Sequence, residues 1–296
     1  MRYKKSISVK EDDILKEIIF EQLKDKALKA GDSKIAKEIF SARGNWVLSQ
    51  HLCPHHPEIL ASVSEEVEYD ESLLLWHVAT ELCYFTDTTN SEGQTDPTFD
   101  EEAKRKREET KNKREICKIL SEYMLYLLVM RPTMMSAVLG IGQIRFQDTC
   151  AEAKKFFPKG QSGTSFEIFN KLFGRSQSEL EPRWREVCKA LLEVDTVVKP
   201  IKVKGDRSKS LLFDACMLAE DLNELKVENR WTIMSEVWVE LLSYAASHIR
   251  PNGHAQQLSK GGELITFVWL LMAHFGLGDQ FRIEAGHARA KLIVDK

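Results

Sequence analysis

Apolar residues recur along this chain at helical spacing, and strict alternation is scarce. The stretch "RWTIMSEVWVELLSYAASHI" repeats apolar residues at Met234, Val237, Trp238, Leu241 and Ala245, which lie along one face of a helix. "EDDILKEIIFEQLKDKALKAG" places Ile14, Ile18, Leu23 and Leu28 on roughly one face, with Gly31 to close the helix. "DSKIAKEIF" starts another, with Asp32 as its cap. Pro54 and Pro57 then interrupt regular structure. "YDESLLLWHVATELCYF" is apolar almost all round, which predicts a deeply buried helix capped by Asp70. "CKILSEYMLYLLVMRP" continues a long helix that stops or kinks near Pro132. Residues 140–210 alternate helices with loops, and "SLLFDACMLAEDLNEL" is helical again. The one extended-looking piece is "TVVKPIKVK".

The pattern is densest in "HAQQLSKGGELITFVWLLMAHF". Gly261 and Gly262 break or bend the helix and allow another backbone to approach. Glu263 then falls in the first turn of the second piece, where the helix dipole favours a carboxylate. The apolar residues of 264–272 cover the whole circumference, as in a helix enclosed on all sides, packed against 211–225 and 231–248. The expected fold is therefore all-α: a multi-helix, bundle-like globule with a buried central C-terminal helix and little or no β. Three stretches, 1–60, 61–198 and 199–296, divide it, or run together as one continuous domain.

Neither apolar run reads as a membrane span. A span needs about 20 apolar residues, and the run that begins at Leu264 meets His274, Gly276 and Gly278 too soon. "YMLYLLVMRPTMMSAVLGIG" is long enough but holds Arg131 and Pro132 at its middle. A mid-span arginine costs about 2.5–3.5 kcal/mol on insertion scales. The N-terminal "MRYKKSISVKEDD" leads into no apolar stretch, so no secretory or transit signal is expected.

Charge narrows the classes further. The 296 residues carry a net charge of −3, which draws the chain toward neither nucleic acid nor an anionic surface. Seven basic and six acidic residues lie between Asp100 and Glu115, and Glu101–Arg105, Glu102–Lys106 and Glu109–Lys113 form favourable i,i+4 pairs. That segment reads as a solvated helix face, because phosphate binding needs net positive charge. The six cysteines, at 53, 83, 117, 150, 188 and 216, stand singly with no CxxC pair, as reduced and mostly buried thiols of a cytosolic protein do.

Candidate chemistry is sparse. His254, Gln257, Glu263, His274 and His287 would have to converge to hold zinc or iron, yet no helical ligand pair such as HExxH occurs. Trp269 lies between these histidines. "HLCPHHP" clusters His51, Cys53, His55 and His56 in a loop without a second ligand pair. His77 and Cys83 are six residues apart, about 600° round a helix, and so do not face each other. A core histidine with a hydrogen-bond partner is the expectation at His77. "GIG" at 140–142 and "KGQSG" at 159–163 lack the strand, helix and lysine context of a phosphate loop.

The order and spacing of "ESLLLWHVATELCYF", "ILSEYMLYLLVMRPTMM", "LLFDACMLAEDL", "WTIMSEVWVELLSYAA", "HAQQLSKGGELITFVWLLMAHFGLGDQF" and "AGHARAKLIV" resemble a plant family catalogued as domains of unknown function 4220 and 594. Its members carry several membrane spans and then a long soluble helical region ending in this block. The resemblance implies that this chain corresponds to the soluble region, with membrane-anchored relatives. It brings no enzyme activity, cofactor, metal or catalytic residue.

The expectation is a soluble, cytoplasmic, non-enzymatic protein that binds a protein partner, a family relative among the candidates, and sequesters, redirects or neutralises it in plant defence, signalling or reproduction. Nucleic acid and a membrane span are not expected. The alternatives are an enzyme with an unfamiliar site around His254, Glu263 and His274, and a cytosolic regulatory part of a membrane protein.

Overall fold

The computed structural model describes residues 9–30, 33–52, 55–91, 101–154, 181–197 and 210–277, and the elements among them are twelve helices with no strand. They are α1 (Val9–Lys29), α2 (Ser33–Ser41), α3 (Asn45–His51), α4 (Pro57–Ala61), α5 (Tyr69–Ser91), α6 (Glu101–Met130), α7 (Gly142–Ala153), α8 (Glu181–Leu192), α9 (Leu211–Glu224), α10 (Val227–His248), α11 (Pro251–Leu258) and α12 (Leu264–His274). The all-α expectation holds for these residues. Of "TVVKPIKVK", residues 198–204 lie outside them, as do Gly31, Asp32 and the loop at 159–163.

The centre of the core is α10, which packs on α6, α12, α3 and α1. Its stripe Met234, Val237, Trp238, Leu241 and Ala245 is buried, and so are Ile233, Val239, Leu242 and Ala246 on its other sides. α5 forms a second axis, paired with α9 and α6, and is buried nearly all round as its sequence predicts. One apolar cluster joins residues from Leu15 to Leu277. Three fully buried tryptophans anchor it, and each indole N–H donates to a partner: Trp76 to Ser62 Oγ at 2.9 Å, Trp238 to Thr80 Oγ1 at 3.0 Å and Trp231 to Asp87 Oδ2 at 2.6 Å. A large ring is accommodated in a core when its one polar atom is satisfied.

Two sequence expectations about packing are corrected. The helix from 264 onward is not the enclosed pillar. Of α12, Ile265, Thr266, Val268 and Met272 are buried against α10, α1 and α11, whereas Leu270 is 43% exposed. Residues 211–224 pair with α5 rather than chiefly with this helix. Uniform hydrophobicity shows that a helix tolerates enclosure and does not say how many neighbours reach it. α1 is also rotated from its expected face: Leu15, Ile19 and Leu23 point inward with Lys26, while Leu28 is 74% exposed. The cause is a buried ion pair, Lys26 Nζ to Glu240 Oε2 at 2.8 Å. A lysine on the inward face is invisible to a count of apolar positions.

Local chemistry sets the helix ends. α6 stops at Met130, two residues ahead of Pro132, whose missing N–H and ring forbid continuation. Gly261, at φ 98°, closes α11: Gly262 N donates to Gln257 O at 2.8 Å and Gly261 N to Leu258 O at 3.2 Å. This double bond pattern with a left-handed glycine is the Schellman motif. It recurs after α12, where Gly276 has φ 65°, and Leu277 N donates to Met272 O at 2.7 Å. A Cβ on Gly261 or Gly262 would meet nothing within 4 Å, so these glycines serve backbone conformation and not the expected close approach. Asp70, expected as a cap, lies inside the first turn of α5, and its Oδ2 accepts from Arg145 Nη1 at 2.6 Å. Gly142 makes room for it, since a Cβ there would stand 3.0 Å from Asp70 Cβ.

On the exposed part of α6, Glu102–Lys106 and Glu109–Lys113 pair as expected at 2.9 and 2.8 Å, while Glu101 reaches Lys104 instead. The five described cysteines, 83, 117, 150, 188 and 216, are free and buried. No helix among the described residues is long and apolar enough to cross a membrane.

Two stability outcomes follow from this packing. Val268→Asp buries a charge with no partner and is expected to abolish the cooperative urea transition, whereas Leu271→Asp, on the half-exposed side, costs about 1–3 kcal/mol. Equal loss in both would show that α12 is enclosed after all. Glu240→Ala strands Lys26 in the core and is expected to cost about 3–5 kcal/mol by the same measurement.

Candidate functional site

His254 is fully buried between α10 and α12. Its Nε2 lies 3.0 Å from the Ala246 carbonyl. A carbonyl only accepts, so Nε2 carries the proton and Nδ1 takes the Thr266 hydroxyl hydrogen at 3.2 Å. The ring stacks on Trp269 with centroids 4.7 Å apart and planes 15° from parallel. Burial holds its pKa below the ordinary histidine value. Both nitrogens are occupied, so no lone pair remains for a metal.

The other predicted residues do not gather around it. The carbonyl of Gln257 closes α11 through Gly262. Glu263 precedes α12 with extended φ and ψ and makes no side-chain cap bond. Its carboxylate turns instead to the end of α6, where Arg131 Nη2 lies 3.3 Å from Oε1 and Tyr123 OH 3.5 Å from Oε2. Tyr123 OH in turn accepts Ile265 N at 3.1 Å, which joins α6 to the first turn of α12. His274 is exposed at the end of α12, edge-on to Phe275. His287 lies outside the described residues.

His77 is a core histidine, as expected. Its Nδ1 sits 2.6 Å from Ser121 Oγ. Burial, reinforced by the Lys118 charge, pushes its pKa down to about 3. Cys83 does not serve it as a nucleophile: its thiol donates toward Ala219 O at 3.8 Å, and burial pushes its pKa up to about 12. In the "HLCPHHP" loop, His51 pairs with Glu236 at 2.9 Å, and Cys53 lies outside the described residues. No group of three His, Cys, Asp or Glu among the described residues could hold a metal ion.

The clearest concave feature with one chemical character is a groove of about 640 Å3 between α4, the start of α5 and α9. Val67, Leu75 and Leu218 supply apolar surface, and Glu58, Glu66, Glu71, Asp214 and Asp221 supply carboxylates. Among the described residues no lysine, arginine or histidine lines it, and Arg145 Nη2 reaches Glu71 Oε2 at 3.5 Å from outside the groove. The local sequence builds it from helix starts. Pro57 opens α4, and Ser210 caps α9 by accepting from Phe213 N at 3.3 Å. Burial raises the Asp221 carboxyl above its ordinary value, and the Glu224, Glu58 and Glu220 charges add to this, against an opposing effect of His56. Sequence reasoning missed this groove, because its acids come from three separate segments and each reads alone as an ordinary surface charge.

The class that these features define is an all-helical protein with a carboxylate-rimmed groove and structural histidines. Within it, residues 223–277, from the end of α9 through α12, match the family described as "Protein of unknown function, DUF594". No curated protein and no solved structure matches the chain.

His77 generates a pH prediction. Its folded pKa lies below the unfolded value of about 6.5, so the unfolded state binds the extra proton first. The contribution is fully present above pH 6.5 and declines as pH falls from there toward 3, by up to about 1.4 kcal/mol per pH unit. Chemical denaturation between pH 7 and 4 should show this slope, and His77→Asn should flatten it. An unchanged slope would remove His77 as its source.

Proposed function

We propose that this protein acts by binding a partner protein, and that the groove between α4, α5 and α9 takes a partner segment bearing lysine or arginine beside apolar side chains. The observation that carries this reading is the apolar wall of Val67, Leu75 and Leu218 beside the carboxylates of Glu58, Glu66 and Asp221, with no Lys, Arg or His among the described lining residues. A cationic amphipathic segment satisfies both surfaces at once, and the charge steers its approach. Asp221 adds a reason for affinity, since burial and then its like-charged neighbours disfavour its ionised form and an incoming cation offsets both.

The role is non-enzymatic and cytoplasmic in this reading. The resemblance to a plant family with membrane-anchored members makes a longer relative one suitable partner, which such binding would sequester, redirect or neutralise in defence, signalling or reproduction. The alternative of a His/Glu enzyme site loses its central ligand, because both nitrogens of His254 are engaged.

The test is fluorescence anisotropy of the full chain with a labelled helical peptide of lysine and leucine. Glu58→Lys with Asp221→Lys is expected to weaken binding by about tenfold or more, whereas Glu101→Lys with Glu108→Lys, on the exposed part of α6, leaves it unchanged. Acidification should weaken binding as the raised Asp221 carboxyl takes up its proton. Equal weakening by both charge pairs would reduce the effect to net charge and overturn the assignment.

A further inference from the structure

Three turns meet beside the end of α10. α6 ends at Met130, and the carbonyl of Arg131 accepts from Met134 N at 2.9 Å as the chain turns away. α10 gives way to Arg250, at φ −61° and ψ 144°, and Pro251 at the first helical position sets α11 off in a new direction. α11 then closes at Lys260 and Gly261. Between these turns lies a cleft of about 670 Å3, a size suited to a small ligand. Arg131, Arg250 and Lys260 border it, together with His248, and among the described residues no Asp or Glu does.

Its inner wall distinguishes it from an ordinary basic surface. Gln257 borders the cleft and is only 9% exposed. Its carbonyl closes α11, and its side chain borders the cleft. A primary amide offers two N–H donors to a ligand oxygen in the cleft. Arg131 is already oriented: Nε donates to Tyr126 OH at 2.9 Å and Nη2 to Glu263 Oε1 at 3.3 Å, with Nη1 left over. Such fixing of a guanidinium before binding lowers the entropy lost on complex formation.

We infer that this cleft binds a phosphate monoester group, held by Arg131, Arg250 and Lys260, with the Gln257 amide donating from the inner wall. Three cationic groups and an amide donor bordering one cleft suit a dianion with three terminal oxygens better than a carboxylate with two. Met130 and Met134 flank the same cleft and would face the apolar body that carries the phosphate. The same chemistry is offered by a free phosphorylated metabolite and by a phosphorylated lipid headgroup. The cleft shares no lining residue with the carboxylate groove, so the two assignments stand or fall separately.

The probes are phenyl phosphate, benzoate, and phosphatidylcholine vesicles with and without a phosphoinositide. Calorimetry on the full chain should show saturable binding of phenyl phosphate and much weaker binding of benzoate, with the Gln257 side-chain amide resonances shifting in NMR. Arg250→Ala with Lys260→Ala, both exposed positions, should weaken binding by about tenfold or more, since each removes a hydrogen bond to a charged group. Gln257→Leu should weaken it without any change of charge, with circular dichroism confirming the fold. Arg105→Ala with Arg107→Ala, exposed on α6, should leave it unchanged. Binding of phosphoinositide vesicles that is lost in the Arg250/Lys260 variant assigns the phosphate to a lipid, and binding of the soluble ester alone assigns it to a metabolite. The inference is overturned if neither phosphate probe binds saturably, if benzoate binds as tightly, or if the Arg105/Arg107 variant loses as much as the Arg250/Lys260 variant.

Discussion

Glu240 is 1% exposed in its side chain, and three chain segments converge on its carboxylate. Oε2 takes Lys26 of α1 at 2.8 Å, and Oε1 takes Gly44 N at 2.6 Å and Trp46 N at 3.2 Å at the start of α3. A buried carboxylate is tolerable only when its lone pairs are met in this way. Much around it follows from that demand. Gly44 has φ 113°, which aims its N–H at the carboxylate, and a Cβ there would stand 2.8 Å from Val63 Cγ1. Lys26 and Lys29 lie over the Trp46 ring at 5.6 and 5.3 Å, which adds cation–π attraction at the same junction. The rotation of α1 that exposes Leu28 is the geometric consequence of turning Lys26 inward.

The same logic repeats along α10. At its start, Asp87 of α5 receives Arg230 Nη2 at 2.5 Å and the Trp231 indole at 2.6 Å, while Arg230 Nη1 reaches Asn223 at 2.6 Å. Toward its other end, Tyr69 OH donates to Leu241 O at 2.6 Å. Between α5 and α6, Lys118 is shared by Glu81 and Glu122. Apolar burial drives these helices together without fixing how they slide or rotate. A few buried polar bonds of defined direction select one register, because every misaligned alternative leaves a charge unmet. These contacts therefore specify the arrangement more than they add to its stability.

Both clefts arise where helices begin and end. The carboxylate groove stands at the starts of α4, α5 and α9, and the cationic cleft at the ends of α6 and α10 and along α11. Turns there are fixed by proline, glycine and a serine cap, so the side chains they carry are held in place by the scaffold. Among the described residues, acids line the first cleft and cations the second. The histidines that drew attention in the linear chain serve the scaffold instead: His254 ties α11 to the end of α10 and to α12, and His77 ties α5 to α6.

Helix positions were legible in the chain because their causes are local. The spacing of Met234, Val237, Trp238, Leu241 and Ala245 marks a buried face whatever packs on it, and Pro132 and Gly261 end helices through their own backbone constraints. The likeness of the C-terminal block to a family of unknown function was legible for the same reason, and a match over 223–277 supports it. The order of enclosure was not legible. α12 is the more uniformly apolar helix, yet α10 is the one with neighbours on every side. Nor could Lys26, Glu240, Asp87 or Arg230 be recognised as interior, since a charge reads as exposed until its partner, more than a hundred residues away, is brought beside it. Binding surfaces share that property: a groove is a relation among distant segments, so the carboxylates of 58, 66, 71, 214 and 221 acquired a common meaning only once folding brought them around one apolar wall.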